Sequence, residues 1–549
     1  MNVKRFLTFP LLLATFSIFA QSGNQTQLNR PKLVVGIVVD QMRWDYLYRY
    51  YDRYSNTGFK RMLNEGFTCE NTMLNYVPSY TAIGHSTIYT GSVPAIHGIA
   101  GNDFIVQATG ESLYCTQDDN VQSVGTKDKN ATAGKMSPFN LKASTVTDEL
   151  KLATNFRSKV VGVSIKDRGS ILPAGHAANA AYWFDGESGN WITSTWYMTD
   201  LPKWLKDFNN KDMAKKYLDQ NWNTLYPIDT YVQSTNDDNI YEETYKGIDK
   251  VKFPIKTSDL VKKNGLGFIR STPYGNTLTL DVAKLVIENE QMGNNQVTDF
   301  LAVSLSSPDY IGHQFGPNSV KVEDNYLRLD KDLSDFFAYL DQKVGKGNYT
   351  VFLTADHGGA HNGQFLKDNK IPAGNWNTKM INEGLNKFLS GKFGADNLVL
   401  SLNNYQVNYN YKQISSSTDM DDLREATIQY MQKVEGVAYV VETAKVSEAT
   451  IPAVIKEKII NGYNRDLCGE IQVILKPGWY SDSDLKGATH GTWNPYDAHI
   501  PLVFMGWGIK HGSSNTEVYM TDIAPTVAAL LHIQMPNGAI GKPIVDLWK

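Results

Sequence analysis

Five aspartate and histidine residues in this sequence have the types and spacing of metal ligands. Asp309 and His313 are four residues apart, Asp356 and His357 are adjacent, and His490 lies in the segment Gly-Ala-Thr-His-Gly. One Asp and His pair alone is a weak signal, since histidines are often packed or solvated without binding a metal. Several buried carboxylates gathered in one place are a stronger signal, because they repel one another unless cations hold them.

Together with Asp40, these side chains divide into two sets of three ligands. One set is Asp309, His313 and His490, and the other is Asp40, Asp356 and His357. Mixed His and Asp ligation suits zinc, with manganese as the next candidate, and three protein ligands leave a position for a reacting atom. Two divalent cations outweigh three carboxylates by about one unit of charge, so the site is expected to attract an anion.

A candidate nucleophile lies between Pro78 and Gly91. The pattern predicts a loop that ends near Tyr80 and opens into a short helix, which places Thr81 at the helix N-terminus. Free backbone N–H groups and the helix dipole favour an anionic oxygen there. A threonine hydroxyl becomes a good nucleophile only when a base or a metal lowers its pKa. Two alternatives stay open: Thr81 is only a helix N-cap, or Ser79 is the cap or the nucleophile.

Four apolar, β-branched segments must position these side chains. They span 32–39, 159–165, 299–305 and 349–355, and they end at Asp40, Lys166, Ser306 and Asp356. Continuous apolar segments are typical of strands buried on both faces of a parallel sheet. Segments with helical periodicity alternate with them, at 44–54, 141–154, 277–291 and 322–344. The alternation predicts an α/β fold, a doubly wound and mostly parallel sheet flanked by helices.

The polar residues that follow these strands are expected to meet at one edge of the sheet. Open α/β sheets bind their ligands at the carboxyl ends of the strands. Four separate strands would therefore bring Asp40, Lys166, Asp309 and Asp356 together.

The chain is expected to consist of a leader and one large domain. Lys4 and Arg5 precede the apolar segment 6–20, which is typical of a secretory signal peptide at 1–20 and is too short to span a bilayer as an anchoring helix. Residues 21–549 are interpreted as an α/β domain with insertions at about 183–275, a cap, and about 362–489, an α+β subdomain. The aromatic-rich cap indicates either a sugar-binding patch or packed side chains. A last strand at 500–505 and a last helix at 521–531 would return to the core.

Composition narrows the class of protein and its partners. Hydrophobic residues at 42% and charged residues at 20% are typical of a globular chain, and a net charge of −4 without charge blocks does not indicate nucleic-acid binding. After removal of the signal peptide no membrane segment remains, so a periplasmic or secreted protein is expected. We also expect it to be a monomer. The cysteines Cys69, Cys115 and Cys468 are too few for a disulfide framework, and any of their three pairings is possible.

In order and context, these motifs resemble the alkaline phosphatase superfamily, in particular its branch of nucleotide pyrophosphatase/phosphodiesterases and PafA-type bacterial alkaline phosphatases. The resemblance covers residues 32–547. It rests on Val38-Val-Asp40, Thr81, Thr90-Gly91, Ile96-His97-Gly98, Asn102-Asp103, Lys166-Asp-Arg168, Asp309-x-x-x-His313, Ala355-Asp-His-Gly358 and Thr489-His-Gly491.

The resemblance implies two Zn²⁺ ions per chain and a role for each site residue. The ligands of one zinc would be Asp40, Thr81, Asp356 and His357, and those of the other Asp309, His313 and His490. Thr81 would become the phosphoryl-enzyme intermediate. Asn102, Lys166 and Arg168 would hold the non-bridging phosphate oxygens.

The predicted activity is the hydrolysis of phosphate monoesters by a secreted, metal-dependent enzyme that releases inorganic phosphate. The phosphoryl group would pass in line to Thr81 and then to water. Within the same superfamily, the alternative is a nucleotide phosphodiesterase or pyrophosphatase. In those enzymes the second ester substituent of the substrate occupies apolar space where this chain has Lys166 and Arg168. The chain lacks the Cys/Ser-x-Pro-x-Arg motif of sulfatases. An alternative of a different class is a non-catalytic, secreted metal-binding protein.

Overall fold

The computed structural model describes residues 28–128, 131–481 and 486–548. The predicted signal peptide, residues 1–20, lies outside this described part of the chain. Within it, no helix is both long and apolar enough to cross a membrane.

The strands of the described chain are short in the insertions and longer in the centre. In chain order they are β1 Leu33–Val39, β2 Phe67–Cys69, β3 Thr72–Met73, β4 Asp103–Val106, β5 Glu111–Tyr114, β6 Ser123–Val124, β7 Val160–Ser164, β8 Ala180–Asp185, β9 Asn190–Ser194, β10 Asp299–Leu305, β11 Tyr349–Thr354, β12 Gly374–Asn375, β13 Val399–Ser401, β14 Gln406–Tyr409, β15 Val437–Glu442, β16 Ile471–Leu475, β17 Trp479–Tyr480, β18 His499–Ile500, β19 Leu502–Gly506, β20 Gly512–Ser514 and β21 Val518–Tyr519.

Helices alternate with the long strands. They are α1 Tyr46–Arg49, α2 Phe59–Glu65, α3 Thr81–Thr90, α4 Pro94–His97, α5 Val146–Ala153, α6 Asp167–Ala174, α7 Lys203–Asn209, α8 Met213–Leu218, α9 Thr257–Asn264, α10 Tyr274–Asn289, α11 Ser307–Phe315, α12 Val320–Leu340, α13 Gly363–Asp368, α14 Thr378–Phe393, α15 Met420–Met431, α16 Ala453–Gly462, α17 Pro495–Ala498 and α18 Ile523–Leu531.

The four strands expected from the apolar segments form the centre of the main sheet. Among the described residues this sheet has the order β20-β2-β19-β11-β1-β10-β7-β8-β9-β6. Strands β11, β1, β10, β7 and β8 are parallel neighbours, and β19 joins β11 in the antiparallel direction. The predicted α/β fold with a mostly parallel sheet is therefore confirmed.

The register of the central strands explains why four polar side chains reach one edge. Thr354, Val38, Ser304 and Ser164 form one row across β11, β1, β10 and β7. Two residues further along each strand, the chain reaches Asp356, Asp40, Ser306 and Lys166. Because the strands are parallel and in register, these residues leave the sheet side by side at its carboxyl edge.

The segment predicted as a helix over 44–54 is less regular than expected. Helix α1 has four residues, and a 3-10 turn at Tyr51–Arg53 follows it. The tyrosines of this segment pack against one another instead, and Tyr326 of α12 contacts the tilted ring of Tyr46 and the stacked ring of Tyr50. The conformation of this segment therefore depends more on the burial of large rings than on its helical periodicity.

The insertions differ in how they pack. The first residues of the predicted cap, up to 194, belong to the main sheet as parts of β8 and β9. Trp191 and Trp222 of the cap are fully buried in the main core, which favours packed side chains over a sugar-binding patch. The later segment forms a four-stranded sheet, β13-β14-β16-β15, with an apolar cluster of its own. The domain boundaries themselves stay a prediction.

The cysteines form none of the pairings left open by the sequence. Cys69, Cys115 and Cys468 are all buried free thiols. Cys115 and Cys468 share one apolar cluster with Ala82 of α3, so they act there as small hydrophobic residues.

Candidate active site

Helix α11 places the first pair of predicted ligands on one face. Asp309 and His313 are one helical turn apart, and Asp309 Oδ1 lies 3.2 Å from His313 Nε2. The loop before α17 brings His490 to the same carboxylate, with Nε2 at 3.6 Å from Asp309 Oδ1. The ligand atoms of all three residues lie within 4.8 Å of one another, which is close enough to bind a single ion.

A second cluster lies beside the first and shares a carboxylate with it. The ligand atoms of Asp40, Asp309 and His357 also lie within 4.8 Å of one another. Asp356, which the sequence assigned to this cluster in place of Asp309, borders it, with Oδ2 3.5 Å from His357 Nε2. The tertiary structure thus makes Asp309 the carboxylate at the junction of the two clusters.

The three histidines are oriented as ligands by backbone carbonyl groups. His313 Nδ1 lies 2.9 Å from the Ala488 carbonyl oxygen, His357 Nδ1 2.8 Å from that of Gly358, and His490 Nδ1 2.7 Å from that of Ser79. Because each Nδ1–H donates to a carbonyl, each Nε2 keeps its lone pair and faces the carboxylates. Metal-ligating histidines are typically oriented in this way.

Two carboxylate oxygens in this site lack the hydrogen-bond partners that burial requires. Among the described residues, Asp40 Oδ1 and Asp356 Oδ2 accept no hydrogen bond, and both side chains are fully buried. Burial raises the pKa of Asp40 well above its usual range, and the neighbouring carboxylates of Asp309 and Asp356 raise it further. Unpaired buried carboxylate oxygens that face imidazole nitrogens fit divalent cations, which would supply the missing positive charge.

Lys166 contacts the carboxylates of both clusters. It directly precedes helix α6, and its buried Nζ lies 2.7 Å from Asp40 Oδ2 and 2.5 Å from Asp309 Oδ2. Burial opposes the charge of this ammonium group, but Asp309 and Asp40 outweigh it and raise the pKa of Lys166. The lysine is therefore a permanent cation in direct contact with the carboxylates of both clusters.

The N-terminus of helix α3 delivers Thr81 to these clusters. Tyr80 occupies the N-cap position, so Thr81 is the first helical residue rather than the cap. The Thr81 hydroxyl lies 3.4 Å from His357 Nε2, and the backbone N–H of Ala82 donates to Asn102 Oδ1 at 3.0 Å. Gly84 allows the close approach, since a Cβ there would lie 2.4 Å from the Asp356 carbonyl oxygen.

Ser79, the alternative nucleophile, has its hydroxyl occupied by two backbone hydrogen bonds. Its Oγ donates to the Thr492 carbonyl oxygen at 3.0 Å and accepts from the Gly491 N–H at 3.1 Å. Its own carbonyl oxygen accepts from His490. Ser79 thus ties the start of α3 to the segment that carries the predicted ligand His490, which is a positioning role.

Arg168 is oriented by residues that sequence reasoning missed. Its Nη1 donates to Tyr114 Oη at 2.9 Å, and Tyr114 Oη donates to Asp167 Oδ1 at 2.6 Å. Tyr114 ends β5 opposite Asp103, and the Cys115 N–H donates to the carbonyl oxygen of Asn102. The β4–β5 hairpin therefore connects Asn102 to Arg168, and no sequence motif predicts that connection.

Two more side chains contact the predicted ligands. Gln41 donates from its backbone N–H to Asp356 Oδ1 at 3.1 Å and from Nε2 to Asp309 Oδ1 at 2.9 Å. His85 Nδ1 lies 3.4 Å from Asp356 Oδ2, and its Nε2 pairs with Ser304. Their sequence signals were weak but present: Gln41 follows Asp40, and His85 lies one turn after Thr81.

Replacing Tyr114 with phenylalanine is expected to release the Arg168 guanidinium and to lower kcat/KM for a phosphate monoester about tenfold. This factor corresponds to about 1.4 kcal/mol, because one charge-assisted hydrogen bond is lost. The measurement is steady-state kinetics on an aryl phosphate and its matching diester. Tyr409→Phe is the matched control, since it removes one buried hydroxyl, which bonds to Thr427 beside the four-stranded sheet. Equal losses in the two variants would contradict the positioning role of Tyr114.

The comparisons with known proteins identify the family to which this fold and site belong. The family described as type I phosphodiesterase / nucleotide pyrophosphatase matches residues 34–497. The chain is therefore a member of that family. This confirms the superfamily resemblance carried by the motifs.

Similar individual proteins indicate more closely where this chain lies within the family. The chain is 62% identical over 550 residues to a Myroides odoratus protein named calcium-transporting ATPase, with 100% of this chain and 99% of that one covered. It is 54% identical over 541 residues to alkaline phosphatase PafA of Elizabethkingia meningoseptica, with 98% of each chain covered. The crystal structure of wild-type PafA superposes with a TM-score of 0.93 at 53% identity and covers 95% of this chain and 100% of that one.

Proposed function

We propose that this chain hydrolyses phosphate monoesters and that Thr81 is its nucleophile. The observation that carries the proposal is the position of the Thr81 hydroxyl: it lies at the N-terminus of a buried helix, 3.4 Å from His357, beside two clusters of carboxylates and imidazoles that could bind metal ions. The expected alkaline phosphatase class is confirmed by the full-length similarity to PafA.

Two divalent cations, with zinc as the first choice, would be held by the two clusters. The residues that would hold them are Asp309, His313 and His490 around one ion, and Asp40, Thr81, Asp356 and His357 around the other, with the Asp309 carboxylate between the two sets. When bound, such ions supply Lewis-acid stabilisation to the attacking and leaving oxygens of an in-line displacement. The shared position of Asp309 supports two neighbouring ions rather than one.

The residues of this chain perform the steps of the reaction. Thr81 Oγ1 gives its proton to water and forms a bond to phosphorus on one side, while on the other side the bond to the substrate alcohol breaks and the departing oxygen takes a proton from water. The backbone N–H groups at the start of α3 stabilise the negative charge that develops beside them. Water then attacks the phosphoryl-threonine in the reverse geometry and releases inorganic phosphate, so the hydroxyl of Thr81 is regenerated.

Three side chains supply charge and hydrogen bonds for the non-bridging oxygens. Asn102 is fixed by the Ala82 N–H through its carbonyl oxygen, which leaves its amide NH₂ to donate. Arg168 is a planar guanidinium that can donate to two oxygens, and Lys166 is a compact cation. A monoester presents three such oxygens and a diester only two, so this set favours monoesters.

The experiment that tests the proposal measures hydrolysis of an aryl phosphate and of its matching diester together with the metal content of the same enzyme sample. We expect bound divalent metal and a kcat/KM for the monoester well above that for the diester. A faster diester reaction would favour the nucleotide phosphodiesterase alternative. Bound metal without either reaction would favour a non-catalytic metal-binding protein.

The same assay should include ATP, because the Myroides relative is named as an ATPase. The terminal phosphoryl group of ATP carries three non-bridging oxygens, as a monoester does. A phosphomonoesterase of this kind is therefore expected to release phosphate from ATP without coupling the reaction to ion transport.

Replacing Lys166 and Arg168 together with alanine is expected to lower monoester turnover much more than diester turnover. Each charge-assisted contact that tightens in the transition state contributes about 1.5–3 kcal/mol, or roughly 10- to 150-fold in rate. Because Lys166 also neutralises Asp40 and Asp309, the metal content of the variant must be measured with its kinetics. A loss by the same factor for both substrates, at unchanged metal content, would show that the two residues do not distinguish monoesters from diesters.

We also propose that the protein acts in the periplasm or outside the cell. The proposal rests on the basic residues and apolar segment of residues 1–20. N-terminal sequencing of the protein recovered from its native compartment tests it: a mature chain that begins near residue 21 is expected, and an intact N-terminus in the cytoplasmic fraction would contradict it.

A further inference from the structure

An open, polar cavity of about 630 Å³ lies against helix α11. Its wall includes Asp185, Tyr245, Phe268, Arg270, Tyr310 and Gln314. Tyr310 and Gln314 directly follow Asp309 and His313 on helix α11, so the two pairs form neighbouring stripes on one helix. The cavity therefore borders the side of the site that carries the cluster Asp309, His313 and His490.

Arg270 is the unusual group in this cavity. Its guanidinium lies over the Tyr310 ring at 5.4 Å, and Lys166 Nζ contacts the same ring at 5.0 Å. No described carboxylate lies within 4 Å of Arg270, and no described residue accepts a hydrogen bond from its buried Nε. A partly buried guanidinium without an anionic partner is costly, which suggests that a ligand completes it.

The backbone around Arg270 makes room for its guanidinium. A Cβ at Gly186, in the turn between β8 and β9, would lie 2.4 Å from Arg270 Nη2, and one at Gly267 would lie 3.3 Å from it. Two glycines on separate segments thus leave space for the charged end of this side chain.

The carboxylates of the same wall do not neutralise Arg270. Asp185 accepts hydrogen bonds from the backbone N–H groups of Glu187 and Ser188 and from the Ser188 hydroxyl, all within its own turn. Glu187 and Glu243 are exposed to solvent, as is the nearby Lys246. Arg270 is therefore the partly buried cation of this wall.

We infer that this cavity is a subsite for the alcohol part of the substrate and that Arg270 binds an anionic group on that alcohol. The inference rests on the proposed function: Thr81 attacks from the side of Asp40 and His357, so the oxygen that departs on the opposite side of phosphorus lies beside Asp309, His313 and His490. The preferred substrates are then phosphate monoesters whose alcohol carries a carboxylate or a second phosphate. A neutral alcohol leaves Arg270 without a partner.

The test compares substrate pairs that differ only in this anionic group. Phosphoglycolate is paired with hydroxyethyl phosphate, and propanediol bisphosphate with hydroxypropyl phosphate, so that the carboxylate and the second phosphate are assessed separately. The wild-type holoenzyme is expected to show a higher kcat/KM for at least one anionic member. In Arg270→Gln the ratio of anionic to neutral kcat/KM should fall about tenfold, and Arg270→Lys should restore part of it.

The ratio of kcat/KM for the anionic ester to kcat/KM for the neutral ester distinguishes a substrate subsite from a structural role of Arg270. A purely structural role of Arg270 would lower the anionic and neutral members by the same factor, and an unchanged ratio in Arg270→Gln would overturn the subsite. Equal wild-type rates within both pairs would overturn it without any variant. Arg157→Gln, which removes an exposed charge at the opposite edge of the sheet, controls for net charge. If neither member of either pair is hydrolysed, the proposed function fails instead.

Discussion

Replacing Thr81 with alanine is expected to lower kcat for phosphate monoesters by about a thousandfold or more, because the variant lacks the oxygen that forms the bond to phosphorus. Thr81→Ser keeps a hydroxyl at the first residue of α3 and should retain a large part of the activity. The measurement is steady-state kinetics, together with acid quenching of enzyme incubated with labelled substrate to trap phosphate on the chain.

The covalent intermediate makes this prediction specific. Labelled phosphate should be found on Thr81 in the wild type and on the serine of Thr81→Ser, and nowhere in Thr81→Ala. Thr90→Ala is the matched control, since it removes a buried hydroxyl from the far end of the same helix, where it bonds to Ser86. Phosphate on Ser79, or near-normal turnover of Thr81→Ala, would contradict the assignment.

Replacing His490 with alanine is expected to remove metal and activity together, with a loss of at least about a hundredfold in kcat/KM. His490 Nε2 faces Asp309 Oδ1 at 3.6 Å, and its ring stacks on His357 with centroids 3.5 Å apart. The loss of this imidazole therefore affects the two clusters at once. Elemental analysis of the purified variant and its kinetics after addition of zinc or manganese are the measurements.

A histidine outside the clusters provides the control. His176 pairs with Asp148 at 3.0 Å and is half-buried, so His176→Ala removes a bonded imidazole without changing the predicted ligands. Chelation of the wild type should reproduce the inactivity of His490→Ala, and restored metal should recover the wild type far better than the variant. Full metal content with near-normal turnover in His490→Ala would refute the ligand assignment.

The amino-acid sequence by itself was sufficient to predict the elements of the core. The segments before Asp40, Lys166, Ser306 and Asp356 are continuous and β-branched, and a strand with both faces buried can have few other compositions. The pattern therefore predicted the parallel strands β1, β7, β10 and β11 within about one residue at each end. It also predicted which polar residues leave the sheet at its carboxyl edge.

Local sequence was a poorer guide where distant contacts decide the conformation. The segment 44–54 has helical periodicity, yet only Tyr46–Arg49 is α-helical, because its tyrosines pack against Tyr326 almost three hundred residues away. At the start of the predicted cap, β9 pairs with β8 and joins the main sheet, a contact that the local sequence does not predict.

Only the tertiary structure decided how the site residues divide their contacts. Asp309 shares its carboxylate between the two clusters, Lys166 pairs with Asp40 and Asp309, and Tyr114 orients Arg168. These contacts join side chains from different strands, helices and a hairpin, and their distances depend on register and crossing angles. A sequence pattern records which groups reach the edge of the sheet, whereas hydrogen bonds and ion pairs depend on differences of about an ångström that only the packed chain determines.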